Sequence, residues 1–110
     1  MLRKIVFMLI ALSVSLITSG QDTASKTALL VIDIQDFYFP GGDMPLYQPE
    51  EAASNAALIL KDFRKNDNKV IHIRHNYEPG GDIYNAVKPM YGEIVFSKDK
   101  VNAFPDTGLK

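Results

Sequence analysis

Two ionisable residues sit where chemistry is usually carried in a parallel sheet. Asp33 follows the apolar run Ala28–Ile32, and Lys98 closes the apolar run that starts at Ile94. Continuous runs of this length, rich in branched residues, are strand signals. Ligands in open α/β sheets bind at the carboxyl ends of the strands. In a sheet of order 3-2-1 one strand separates the two residues, a backbone gap of about 10 Å at roughly 4.8 Å per strand. A lysine side chain crosses most of that gap, so the sequence predicts a carboxylate–ammonium pair at the mouth of a cleft. Spacing alone is also met by two solvated charges capping their strands.

The elements that must position the pair follow from hydrophobic period. Ala28–Ile32 runs apolar without alternation, which predicts a strand buried on both faces. Residues 34–48 hold Pro40, Gly41, Gly42 and Pro45 and read as a long loop, with Phe37, Tyr38 and Phe39 as an apolar lid. Pro49-Glu50-Glu51 opens a helix, since proline is tolerated in the first turn and carboxylates suit the positive end of the dipole. Ala53, Ala56, Ile59, Leu60 and Phe63 then recur at helical spacing, and the helix fades near Asn66. Val70–Arg74 reads as a second strand and Ile94–Ser97 as a third, with one short helix near 83–87 between them. Strand, helix, strand, crossover, strand is an α/β pattern with a parallel sheet. Right-handed crossovers stepping one way across a sheet fall on the same face. The spacing therefore predicts one uncovered face and one unpaired edge, beside the first strand.

Composition narrows the classes. The chain has 110 residues, 46% hydrophobic and 23% charged, with a net charge of −1 and no cysteine. This describes one globular domain without the basic stripe that nucleic acid requires. Arg3 and Lys4, the apolar stretch 5–17 and the small residues 18–20 have the layout of a secretory signal, residues 1–20, followed by a polar linker, 21–27. The expectation is an exported, periplasmic or secreted domain over 28–110, free of the membrane once the signal is removed and held by packing without disulfides. Neither glycine pair completes a phosphate-cradling motif, so no nucleotide cofactor is expected. Ser97 beside Lys98 is no Ser–Lys dyad, because adjacent strand residues point to opposite faces.

The runs V-I-D-I-Q-D-F-Y-F-P-G-G (31–42), P-E-E (49–51), H-I-R-H (72–75) and G-E-I-V-F-S-K-D-K-V-N-A-F-P-D-T-G-L (92–109) together resemble the isochorismatase-like cysteine hydrolases, a family that includes nicotinamidases and related amidases. The resemblance spans residues 27–110 in order and spacing. It implies a doubly wound, six-stranded parallel sheet flanked by helices, of which this chain carries three strands, and an Asp-Lys-Cys triad. By that match Asp33 is the base and Lys98 the cation. Gln35 lies beside the triad and Phe104 near the pocket, both as substrate-binding residues for a small molecule. A thiolate beside a lysine, with a carboxylate to hold its proton, is a competent nucleophile for small amides and related carbonyl compounds.

The resemblance also marks departures. The family's cysteine comes from a fourth strand–helix unit, and residues 1–110 contain none, so the expectation is a hydrolase truncated before its nucleophile and inactive as written. Nicotinamidases bind metal through an Asp-x-His pair and a further His, whereas this chain has only His72 and His75, so no metal is expected and nicotinamide is disfavoured as substrate. His72 reads as a core or face residue and His75 as a strand-end residue within reach of ligand. A different class remains open: a non-catalytic binding or assembly module reusing half of the scaffold, its bare face covered by a partner such as a second copy. A small flavodoxin-like domain binding a phosphate ligand is a third.

Overall fold

The computed structural model describes residues 27–109. The proposed signal and nearly all of the proposed linker lie outside the described residues. Strands β1 (Ala28–Ile32), β2 (Lys69–His75) and β3 (Ile94–Lys98) form one parallel sheet in the order β1-β2-β3, the predicted order read from the other edge. Helix α1 (Pro49–Lys65) makes the first crossover. In the second, a single 3₁₀ turn at Asn85–Val87 replaces the short helix expected near 83–87.

Side-chain alternation explains the core. Leu29, Val31 and Val70 share one face of the sheet, and they pack with Leu60 and Phe63 of α1 and with Val87 of the second crossover. Both crossovers thus cover the same face, as handedness requires. The other face carries Leu30 and Ile32, which stay 37% and 42% exposed among the described residues. This is the uncovered face that the crossover spacing predicts, and within the described residues β1 is not buried on both sides as its unbroken apolar run suggested. An unbroken apolar run shows what a strand tolerates, whereas burial depends on where the crossovers go. Only the central strand β2 buries four consecutive residues, Val70 to Ile73.

A polar hub fastens the crossovers to the sheet. Glu93, just before β3, accepts Nε of Arg64 at 2.6 Å and Nη2 of the same guanidinium at 2.9 Å. Its Oε2 also accepts the Met90 N–H at 3.1 Å and lies 2.6 Å from Nε2 of fully buried His72. Arg64 further donates to the Lys88 carbonyl at 2.9 Å. His72 is therefore the paired face residue that its strand position suggests. The bidentate Arg64 bond, helped by the Met90 and His72 bonds, lowers the Glu93 pKa to about 2 against the opposing effect of burial.

A carboxylate whose folded pKa is depressed stabilises above its unfolded pKa, about 4.3, and loses that contribution as pH falls through the folded value. The stability of this chain is expected to decline between about pH 4.5 and 2 as Glu93 takes up its proton. Glu93→Gln should cost about 2 kcal/mol at pH 7 and flatten the acid limb. Urea melts across pH on both proteins check this; an unchanged acid limb in the variant would remove Glu93 from the hub.

Candidate active site

Asp33 leaves β1 with φ +55°, and its N–H donates to the Ile73 carbonyl at 2.9 Å. Strand alternation would place it with Val31 on the helix face. The left-handed conformation, which Asp tolerates better than most residues, abandons that alternation. Its carboxylate reaches over the end of β2: Oδ2 lies 3.0 Å from Nζ of Lys98, the last residue of β3. The expected pairing across one intervening strand is present.

The ammonium is placed with little freedom. The Lys98 side chain is 3% exposed, and Nζ also donates to the carbonyls of Lys100 and Val101, each at 3.2 Å. An ammonium has three hydrogens, and the three contacts use them all. Burying a charge is costly unless it is paired and hydrogen-bonded, and here both conditions hold. On the carboxylate, Oδ1 is sealed from water and has no donor among the described residues. That oxygen is enclosed and unpartnered, so the exposed part of the 27% accessible Asp33 side chain lies elsewhere.

Gln35 is fully buried. Its Nε2 donates to the carbonyls of His75 at 2.8 Å and Gly81 at 2.7 Å, and its Oε1 accepts the His75 N–H at 2.7 Å. With both amide hydrogens spent on backbone, Gln35 fixes the rim; it does not face a ligand as expected for a substrate-binding residue. It is reinforced by the bridge between Gln35 and Ile83 and by the bond from the Phe37 N–H to the Gly80 carbonyl, 2.9 Å.

The Asp33–Lys98 pair opens on a concavity of about 230 Å³, lined also by Phe37, Tyr38, Met44, His75, Tyr77 and Val101. Phe37 lies beneath Tyr38 and Tyr77, with ring centroids 4.2 and 4.6 Å away. The Tyr77 hydroxyl donates to Asp43 Oδ2 at 2.9 Å, joining the loop after β2 to the loop after β1. Close packing sets this crossing: a Cβ on Gly80 would meet the Phe37 Cβ at 3.1 Å. The lid suggested by residues 37–39 is real, but Phe39 turns away and stacks on Tyr84 at 3.5 Å. His75 lines the cavity. Phe104 is not brought to it: it is 60% exposed in the turn after β3, its N–H held by Asn102 Oδ1 at 3.0 Å. Tyr77, Asp43 and Met44 had no sequence signal of their own, because only the folded loops bring them together.

Comparison with known proteins gives the class. Residues 27–110 match the isochorismatase domain model. The chain is 43% identical over 94 residues to an uncharacterised isochorismatase family protein of Bacillus subtilis, covering 76% of this chain and 52% of that one. A solved structure from Oleispira antarctica, assigned to the isochorismatase hydrolases, is similar with a TM-score of 0.69 and 36% identity over 73% of this chain and 50% of its own. N-carbamoylsarcosine amidase from Thermoplasma acidophilum shares the fold alone, with a TM-score of 0.67 at 18% identity over 74% and 57%. The chain belongs to the isochorismatase-like hydrolase family, and it spans about half the length of the first two of these relatives.

Removing Gln35 leaves three backbone groups of the rim without partners, at about 1–3 kcal/mol for each buried group. Gln35→Leu is expected to destabilise by about 3 kcal/mol or more, whereas Phe104→Ala stays within about 0.5 kcal/mol. Urea midpoints compare the two directly, and equal costs would refute the tether.

Proposed function

We propose that Asp33 and Lys98 are two members of an Asp-Lys-Cys triad for the hydrolysis of small amides or related carbonyl compounds. The observation that carries this reading is the 3.0 Å contact between Lys98 Nζ and Asp33 Oδ2, with Asp33 Oδ1 left without a donor. The thiol comes from polypeptide other than residues 1–110, which hold no cysteine. Asp33 takes the proton of that thiol, and Lys98 holds the carboxylate and the thiolate in place. The thiolate adds to the substrate carbonyl, and the C–N bond breaks as Asp33 returns the proton to the departing amine. Water then attacks the thioester, giving up a proton to Asp33, and the released thiolate takes that proton back to restore the thiol and the ionised Asp33. The likeness to the Oleispira antarctica protein, assigned to the isochorismatase hydrolases, supports the hydrolase class. Residues 1–20 direct export, and residues 1–110 alone do not turn over substrate.

The exposure of Leu30 and Ile32 favours one other reading, an assembly module whose sheet face is covered by a second copy or another chain. The test is the reading frame after codon 110 together with the product it encodes. A strand, a small-residue turn and a cysteine are expected there. Ammonia release from small amides by that product should fall by about 10³-fold or more in Asp33→Asn and in its cysteine variant, the scale seen when members of a catalytic triad are removed. Unrelated sequence, or activity indifferent to Asp33, removes the hydrolase reading. A defined oligomer of the 110-residue chain would then favour the module.

A further inference from the structure

Another concavity, about 440 Å³, lies beside the second crossover and is lined by Asp36, Arg74, Asp82, Asn85, Lys88 and the apolar group Ile83, Pro89 and Val95. It belongs to the opposite side of the sheet from the Asp33–Lys98 cleft, since Arg74 and His75 are neighbours on β2 and alternate. Arg74 is 25% exposed, and its one ionic contact among the described residues is Asp82 Oδ1 at 3.7 Å, too long for a hydrogen bond. Its Nε is sealed from water with no acceptor. A guanidinium offers five donors in a planar fork suited to a carboxylate, and this one is largely buried with its hydrogens unused. Asp82 is no fixed counter-ion, because its side chain is 84% exposed.

We propose that this concavity is a second ligand site, taking a small zwitterion with an apolar body, of the amino-acid class. The lining carries two cations, Arg74 and Lys88, and two carboxylates, Asp36 and Asp82, which matches a ligand with one charge of each sign. The ligand carboxylate replaces Asp82 at the open end of the Arg74 fork. Its ammonium then takes up the released Asp82 and Asp36, and its side chain lies on Ile83, Pro89 and Val95. The volume is within the range of small-molecule sites. The site uses none of the residues proposed for hydrolysis and stands independently of that reading.

The test titrates the 110-residue chain with L-leucine, with 4-methylpentanoate, which lacks the ammonium, and with isoamylamine, which lacks the carboxylate, following side-chain and backbone resonances. Saturable shifts at Arg74, Lys88 and Val95 are expected with L-leucine, and binding about tenfold weaker or more for either fragment. Arg74→Gln should weaken L-leucine binding at least tenfold, the scale of a lost charge-assisted bond. Arg74→Lys, which keeps the charge without the fork, should fall between. Equal affinity for all three probes, no saturable shift, indifference to Arg74→Gln, or shifts centred on His75 and Lys98 would each overturn the proposal.

Discussion

The carboxyl end of this sheet is organised around one buried positive charge. The Lys98 ammonium requires three acceptors in fixed directions, and each comes from a different local cause. The register that sets Lys98 opposite His75 brings it level with the end of β2. The left-handed turn at Asp33 supplies the carboxylate from the far side of that strand. The chain bends after β3 so that the carbonyls of Lys100 and Val101 close the cage. Loss of any of the three leaves a cation in a low-dielectric place without compensation, the situation that makes breaking a buried pair far costlier than its formation is beneficial. The same cage fixes Asp33, since one of its oxygens is committed and the other is held unpaired.

The rim shows the neutral counterpart of that logic. Gln35 joins three backbone groups from the end of β2 and the loop beyond it, so the loop after β1 is tied directly to the loop after β2. The Tyr77–Asp43 bond adds a tie at the outer edge, strong enough to raise the phenol pKa through its hydrogen bond to the carboxylate. A glutamine amide suits this task because it has two donors and an acceptor on one planar group. The site is therefore shaped by loops, but loops anchored from inside, which is how a scaffold keeps reacting groups within a narrow range of geometry.

What was legible in the sequence divides along physical lines. β1, α1, β2 and β3 follow from local period and from Pro49, and their limits fall within a residue of expectation. Strand order followed from connection lengths, and the Asp33–Lys98 contact from order and reach together. The apolar run of β1 reports tolerance of burial on both faces, while the exposure of Leu30 and Ile32 among the described residues follows from both crossovers falling on the other face, as the spacing predicted. The surroundings of Gln35 and Phe104 were not legible for a related reason. A motif fixes residue type and neighbourhood, but whether a side chain turns inward to backbone or outward to ligand depends on loops 40 residues apart in sequence. The Arg64–Glu93–His72 hub was not visible either, since it joins a helix end, a strand and a turn that share no local pattern.

The two incomplete features of the molecule lie on the same side. β1 pairs with β2 alone, so its other edge offers unpaired N–H and C=O groups among the described residues, beside the exposed Leu30 and Ile32. Exposed edges and apolar faces are liabilities that proteins normally cover. Asp33, with its unpartnered oxygen, sits at the end of that same strand. On the hydrolase reading, one added parallel strand next to β1 would satisfy the edge. Its following helix, crossing on the opposite face because the direction of winding reverses there, would cover Leu30 and Ile32. The turn between them would arrive beside Asp33, with a helix N-terminus and its free N–H groups at the point where a thiolate and an oxyanion need them. A partner that only covers the face would meet the first two needs and leave the carboxylate oxygen unmatched. The buried Asp33–Lys98 pair at the end of that strand, more than the bare apolar surface, is the feature that the hydrolase reading explains and a docking module does not.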